Sequence, residues 1–417
     1  MPSSPHTDRE ILIIGSGLAG LSLCFWMLET IPAEKITLLH NADPLQASNG
    51  PTLLFHPFPG RSLEPEPLLP FAVAHTMTMI KKWQQIAPEQ IRSMPIIRPF
   101  VGSNGARLHK SYEKHWMQAN TSNLWQEYID RQPTITLPTT ETHTETKKTF
   151  QPQFRTLSQQ DIAYTEPALH TGVEGVVVEP SYAIDGADLI AKLHQYLQGQ
   201  GISIHIGTAT NISHSSTKSV VQYTDTRTHA LTMTAKKVVL CLGRHTKEWF
   251  PDAHITLQGG SLLRSQVCEI THSISVDGIH IAKHRTGDWV VGATRWDDTQ
   301  PSKEEEIASM QNKLEKTLSH PPKIHTDSTT VWSGVRCIYP TDRLPLCGRI
   351  PQHRNIFILT ALGSKGLLWG IWASKVLCDS ILDANHNQKT PHLYCFDLQR
   401  ASTEDAWYSP KITNISQ

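Results

Sequence analysis

No run of apolar residues in this sequence reaches the roughly 18–20 needed to cross a bilayer, which argues against a membrane span. Net charge is absent too. The 38 Lys and Arg are matched by 38 Asp and Glu, so the chain as a whole is not built to coat a polyanion, and DNA is not an expected partner. Cysteine is scarce and scattered: Cys24, Cys241, Cys268, Cys337, Cys347, Cys378 and Cys395 are odd in number and form no C-x-x-C. That spacing speaks against a disulfide framework and a metal site and suits reduced thiols in the cytoplasm. No internal repeat is visible, and no Ser-His-Asp or Cys-His pattern offers a nucleophile with its base. What remains is a hydrophobic content of 39% and a charged content of 18%, as in soluble globular proteins, over 417 residues, enough for two domains.

The most informative stretch is residues 11–20. Ile11 to Ile14 read as a short buried strand, followed at once by Gly15-Ser16-Gly17-Leu18-Ala19-Gly20 and then an apolar helical run from Leu21 to Leu28. A strand, a G-x-G-x-x-G turn and a helix, in that order, suit a dinucleotide. The first glycine allows the tight turn, the second lets the backbone approach a pyrophosphate, and the third lets helix and sheet pack closely. The helix N-terminus offers N–H groups and a positive dipole end. The bland alternative is a glycine-rich turn without a ligand. Residues 11–28 also imitate the apolar core of a signal peptide but lack its basic flank.

Lys35 to Leu39 read as the second strand of a βαβ unit. An Asp or Glu is expected at its end, about 20 residues past the glycines, to hold the ribose hydroxyls. His40 and Asn41 stand there instead, and Asp43 is the nearest carboxylate. Residues 44–70 carry seven prolines and read as a long irregular loop, often a functional feature. A helix is expected over 71–87. Between 81 and 118, seven cations (Lys81, Lys82, Arg92, Arg98, Arg107, Lys110, Lys114) face two carboxylates (Glu89, Glu113), which reads as a solvated face or as a local landing surface for RNA. Residues 138–148 read as an exposed hairpin tip or loop. Strands are expected at 176–178, 202–206 and 236–243, the last ending in Gly243, with a helix at 187–198. Short antiparallel strands are expected over 262–295 and a charged helix over 303–318. Near the C-terminus a strand from Ile356 to Thr360 runs into Gly363-Ser364-Lys365-Gly366-Leu367 and a helix, a second glycine-rich strand-to-helix turn whose N–H groups can face an anionic or electron-accepting ligand atom. Residues 391–417 look like a tail.

Four blocks taken together resemble the D-amino-acid oxidase superfamily of FAD-dependent oxidoreductases, which includes glycine and sarcosine oxidases, from about residue 9 to 383. They are Gly15-x-Gly17-x-x-Gly20; Leu157-Ser158 through Glu166-Pro167-Ala168-Leu169 with Ala183-Ile184-Asp185-Gly186-Ala187-Asp188-Leu189; Val238 to Gly243; and Trp332-Ser333-Gly334-Val335-Arg336 with Asp342 to Gly348 and Leu362 to Leu367. The resemblance implies an α/β fold with a Rossmann-like FAD-binding domain (1–70, 150–250 and 331–390) and a mixed or antiparallel-sheet substrate domain (71–149 and 251–330). It implies FAD held by Gly15, Ser16, Gly17, Leu18, Ala19, Gly20, His40, Asn41, Ser48, Asn49, Gly243, Gly363, Ser364, Lys365, Gly366 and Leu367. By the same resemblance Arg336 clamps a substrate carboxylate, for which the planar guanidinium fork is suited, and Tyr339 lines the same pocket. A competing assignment ties Arg336 to Asp342 or another structural acid. Cys337 invites comparison with the cysteine that tethers flavin in sarcosine oxidases, but its distance to Asp342 is shorter than in those enzymes, and a core thiol is expected.

The activity implied is oxidation of a carbon–nitrogen bond in an amino acid or secondary amine: hydride passes to the flavin, the imine hydrolyses, and oxygen reoxidises the flavin. The C-terminal block is also similar to the oxidase half of the bifunctional enzyme that makes methylaminomethyl-uridine at the tRNA wobble position, which implies tRNA as an alternative partner and removal of carboxymethyl from a wobble-uridine amine as an alternative activity. A flavin-binding protein without turnover and a nicotinamide-dependent dehydrogenase are further alternatives, the latter disfavoured because the two glycine turns suit FAD better.

Overall fold

A computed structural model describes residues 9–117, 121–131, 152–169, 172–266, 270–321, 323–382, 396–400 and 404–414. The hairpin tip expected at 138–148, and Cys268 and Cys395, lie outside them. The chain forms two compact units, one from residues 1–47, 190–258 and 335–417, the other from 48–189 and 259–334.

In the first unit the strand Arg9–Ile14 lies parallel between Ile36–His40 and Ala230–Leu240, and Ala230–Leu240 is in turn parallel to Ile356–Thr360. Ile11 to Ile14 are all buried, as expected of a parallel strand covered on both faces, and this is why the sequence there is a continuous apolar run. Two strands are longer than the sequence suggested. Ser203–His214 pairs in parallel with Ile36–His40 through its first half and antiparallel with Ser219–Asp225 through its second. Ala230–Leu240 divides in the same manner between Ser219–Asp225 and Arg9–Ile14. The helix Leu18–Met27 is buried along its whole length, so it is apolar all round. It packs against the helix Ile371–Leu382, with Trp26 Nε1 donating to Ile371 O at 3.2 Å.

The second unit is built on a sheet ordered 330–338, 256–265, 289–292, 279–283, 273–276, 96–99, 175–179 and 153–157. Strand 96–99 is parallel to 273–276, whereas its other neighbour, 175–179, runs antiparallel to it. The helix Lys303–Thr317 begins with a capping box between Ser302 and Glu305. Its Ile307, Met310 and Leu314 close one core with Ile97, Val177, Leu263, Ile274, Ile281 and Val291 from the sheet.

The unit boundaries differ from the expected domains: residues 48–70, 150–189 and 331–334, expected in the FAD-binding domain, fall in the second unit, and 251–258, expected in the substrate domain, in the first. The proline-rich segment contains a strand, Leu53–Phe55, that pairs with Tyr182–Ile184, which also pairs with Ile91–Ser93. Main-chain hydrogen bonds therefore place residues 48–70 and 175–189 in the second unit. The segment expected as a tail is, where described, part of the first unit. Ile412–Asn414 adds a parallel strand beside Ser203–His214, Cys347 N donates to Phe396 O at 2.7 Å, and Trp407 is buried against Phe250.

Candidate functional site

The N-terminal glycine turn is fixed by backbone on several sides. Gly15 N donates to Leu39 O at 2.8 Å, and Cys241 N donates to Ile14 O at 2.7 Å. Gly15 has φ +109°, and a Cβ there would lie 2.1 Å from Cys241 O; a Cβ on Gly20 would lie 1.9 Å from Gly15 O. Neither position admits a side chain. Gly17 precedes the helix Leu18–Met27, whose start has no side-chain cap and no acidic residue in its first turn. Its dipole is therefore not neutralised by the protein at that end. Ser16, Leu18 and Ala19 are buried.

His40 ends the second strand, and its Nδ1 faces Asn41 O at 3.3 Å. Burial holds its pKa below the ordinary histidine range. His194, on the helix Gly186–Gly199, stands with its ring centroid 4.8 Å away, and burial, aided by repulsion from His40, lowers it to about 4. Asp43 does not supply the missing acid. Arg244 holds both its oxygens, Nε to Oδ2 at 2.8 Å and an Nη to Oδ1 at 3.1 Å, while His245 Nε2 lies 3.2 Å from Oδ2 and Leu45 N donates to Oδ1 at 3.0 Å. Burial alone would raise the Asp43 pKa, but these partners outweigh it and hold the carboxyl ionised.

Gly243, with φ +55°, opens the turn that follows Ala230–Leu240. Thr246 Oγ1 donates to Gly243 O at 2.8 Å and lies 2.8 Å from Thr360 Oγ1, which reaches Cys337 Sγ at 3.5 Å. Cys337 is a buried thiol, its pKa raised by that burial.

The second glycine turn follows strand Ile356–Thr360. Gly363, with φ +56°, donates its N–H to Cys337 O at 3.0 Å, and Leu362 bridges to Ile338. Ser364 is exposed, and Lys365 and Gly366 are half-buried. The helix expected after this turn begins here. A wide π-type turn, Gly366–Gly370, leads into the helix Ile371–Leu382. Leu368 N and Trp369 N both donate to Lys365 O. A Cβ at Gly370 would press on Leu362 Cδ1 at 2.9 Å, so the turn widens where it packs most closely; such turns are frequent at functional sites.

Arg336 lies on the strand Thr330–Ile338, one residue before Cys337, whose carbonyl receives the Gly363 N–H. It is half-buried and donates to Gln258 Oε1 at 3.5 Å. Asp342, the acid that the competing assignment gave it, is paired with Arg400. Tyr339 is placed differently from the expectation. It is 4% exposed in the apolar core of the first unit, its hydroxyl donates to Arg400 O, and the Arg400 guanidinium covers its ring. Its hydroxyl is committed to holding the C-terminal segment.

Ser48 and Asn49 form a short turn in the second unit, closed on Gly186: Gly186 N donates to Gly50 O at 3.0 Å, and a Cβ on Gly186 would lie 2.3 Å from Ser48 O. His194 and Gln258 carried no signal in the sequence. His194 falls in an ordinary amphipathic helix, and Gln258 lies in a strand whose register only the fold reveals.

A parallel-stranded unit with an uncapped helix start on a glycine turn, and a second glycine turn two strands along, defines a dinucleotide-binding oxidoreductase. The chain matches the model of the DAO family, described as FAD dependent oxidoreductase, over residues 10–380, and it belongs to that family. Its fold is shared with solved structures of low identity. Glycine oxidase from Bacillus cereus is 16% identical with a TM-score of 0.66, over 93% of this chain and 98% of that one. Iminodiacetate oxidase from Chelativorans is 15% identical with a TM-score of 0.65, over 89% and 95%. L-amino acid deaminase from Proteus vulgaris is 12% identical with a TM-score of 0.66, over 96% and 98%. FAD is the cofactor of this family. The first unit fits it, because the uncapped helix start suits a pyrophosphate and follows a turn in which neither Gly15 nor Gly20 has room for a Cβ.

Proposed function

We propose that the protein oxidises the carbon–nitrogen bond of an amino acid or secondary amine that carries a carboxylate. The observation that carries this reading is the attachment of Arg336 to the second glycine turn: the strand holding it is hydrogen-bonded, one residue further on, to Gly363. On this reading the first turn of Leu18–Met27, with Gly15, Ser16 and Gly17, receives the pyrophosphate. Gly243 and Gly363 to Leu367, in the same unit, would border the rest of the cofactor. FAD, when bound, accepts the hydride and passes the electrons to oxygen. Arg336 binds the substrate carboxylate through two parallel charge-assisted hydrogen bonds, displacing the long contact to Gln258, and so fixes the α-carbon in position. The structural likeness to glycine oxidase, iminodiacetate oxidase and L-amino acid deaminase supports an amine or amino acid as the substrate class.

The tRNA alternative drew on the basic stretch 81–118. Two of its seven cations are turned inward: Arg98 is buried and donates to Phe58 O and Gly60 O, and Arg92 is spent on Asp185 and Lys283 O. The charge that remains favours a small substrate. An anaerobic bleaching screen tests the proposal. Loss of the oxidised flavin spectrum with glycine, sarcosine, iminodiacetate or an amino acid supports it; bleaching by tRNA alone would overturn it in favour of the alternative.

A further inference from the structure

We propose that Asp43 is a positioning residue for the substrate clamp: by folding residues 43–46 it fixes Val335, and so the place from which Arg336 meets the substrate carboxylate. The proposal rests on Arg336 binding that carboxylate. Every residue in it belongs to the first unit. Arg336 stands between two neighbours that are each tied down. After it, Cys337 is held twice. Its carbonyl accepts the Gly363 N–H at 3.0 Å, and its Sγ lies 3.5 Å from Thr360 Oγ1, which Thr246 Oγ1 meets at 2.8 Å. Before it, Val335 N donates to Leu45 O at 2.9 Å, and Gln46 bridges to Val335 in parallel. That second hold is only as firm as the segment that supplies it. Asp43 folds the segment: its Oδ1 accepts from Leu45 N at 3.0 Å, and its carbonyl accepts from Gln46 N at 3.2 Å. An aspartate that takes the N–H two residues on closes a turn with its own side chain.

The same carboxylate anchors that turn to a distant one. Arg244 donates to both oxygens, and His245 Nε2 lies 3.2 Å from Oδ2. His245 is steadied in turn by Glu248, whose Oε1 lies 2.8 Å from Nδ1. Arg244 and His245 follow Gly243, in the turn whose Thr246 meets Thr360 beside Cys337. One stretch, residues 243–246, therefore reaches both neighbours of Arg336, through Thr246 on one side and Asp43 on the other. The Asp43 side chain is 7% exposed, so its bonds compete little with water. An amide could not replace it, having a single accepting oxygen. Whichever way the amide were turned, its NH2 would face an N–H of Arg244, which bonds both oxygens. A guanidinium that makes two parallel bonds tolerates little drift, a misplacement of about 1 Å being able to cost about 100-fold.

A double-mutant cycle on the full-length flavin-loaded protein tests this, with the carboxylate-bearing amine that bleaches the flavin as substrate. Asp43→Asn should raise KM about tenfold, with a smaller fall in kcat. Added to Arg336→Leu, the same change should alter KM by less than about twofold, because the group it positions is gone. Acetate, a carboxylate with no amine to oxidise, gives a readout without turnover. Its affinity, followed by the shift it causes in the flavin spectrum, should fall in Asp43→Asn and show the same loss of effect in the Arg336→Leu background. A merely structural role would lower the melting temperature in both backgrounds and leave KM where it was. An unchanged KM in Asp43→Asn, or two losses that multiply in the double variant, would overturn the proposal. Should Asp43→Asn fail to fold or to hold FAD, Arg244→Gln removes the partner of both oxygens and runs the same cycle. An Arg336→Leu protein with the KM of the parent would instead strike the reading on which the proposal rests.

Discussion

The two glycine turns of the first unit use the same residue for different reasons. At the N-terminal turn glycine is demanded by proximity, since Cβ atoms at Gly15 and Gly20 would lie 2.1 and 1.9 Å from main-chain oxygens. At the C-terminal turn the nearest atom to a Cβ on Gly363 is 3.8 Å away, and only its φ of +56° favours glycine. Even that demand is soft, for Ala361, two residues earlier and buried, already has φ +58°. The first turn is clamped between a strand, a helix and a neighbouring strand. The second keeps its space and hands on, through a widened turn, to the final helix. On the proposed function the first turn would receive a pyrophosphate on main-chain N–H groups and needs close backbone placement, whereas the second, beside the strand of Arg336, can vary.

Substitutions should separate the two. Gly15→Ala combines a positive φ with a main-chain clash and should cost about 4 kcal/mol, giving little soluble protein and no bound flavin; a yellow protein in normal yield would show that Cys241 can move aside. Arg336→Leu should leave flavin content unchanged and raise KM for a carboxylate-bearing amine by about 30- to 150-fold, the loss of two charged hydrogen bonds. An unchanged KM would remove Arg336 from substrate binding. Gly363→Ala should cost only about 1 kcal/mol, visible as a small fall in melting temperature with FAD retained; loss of flavin would show the second turn to be as tightly held as the first.

The smallest effect concerns pH. Asp43 raises the pKa of His245 by hydrogen bonding to it, with Glu248 adding to the shift. Because the folded value lies above the unfolded one of about 6.5, the stability this gives is complete below that pH and lost as pH rises through the raised value. His245→Gln should therefore flatten the melting temperature between about pH 6 and 9 by about 1–2 °C, a small effect because Arg244 still pairs with both Asp43 oxygens. A profile as steep as that of the parent protein would place the titration elsewhere.

How far the sequence disclosed this molecule depended on the distance over which each signal acts. The strand, glycine turn and helix at 9–27 are legible because the apolar run, the glycine spacing and the apolar helix follow one another within 20 residues, although Leu39, Cys241 and the helix Ile371–Leu382 complete their packing. The same holds for the helix Lys303–Thr317, whose Ser302 and Glu305 mark its start. Leu53–Phe55 was not legible as a strand: three residues are too few to show alternation, and prolines flank them. Ser203–His214 and Ala230–Leu240 read as shorter because each changes partner midway: the more exposed first half of Ala230–Leu240 lacks the apolar run that marks its buried end, and Gly207 to His214 carries too few apolar residues to show a strand. Arg336 was legible from its resemblance block, whereas the burial of Tyr339 was not, because the segment that holds its hydroxyl arrives from residue 400. His194 had no signal at all, since what singles it out is a ring on another element.

Ile412–Asn414 pairs beside Ser203–His214 in the same sheet that holds the N-terminal glycine turn. This has a consequence for synthesis. The first unit gathers residues 1–47, 190–258 and 335–417, so its opening strand waits for its second neighbour, Ala230–Leu240, and its opening helix for Ile371–Leu382. The second unit has all its parts by residue 334. The nascent chain must therefore carry a wholly apolar helix, Leu18–Met27, for hundreds of residues before its partner Ile371–Leu382 emerges, and in that interval the helix is a natural client for a chaperone.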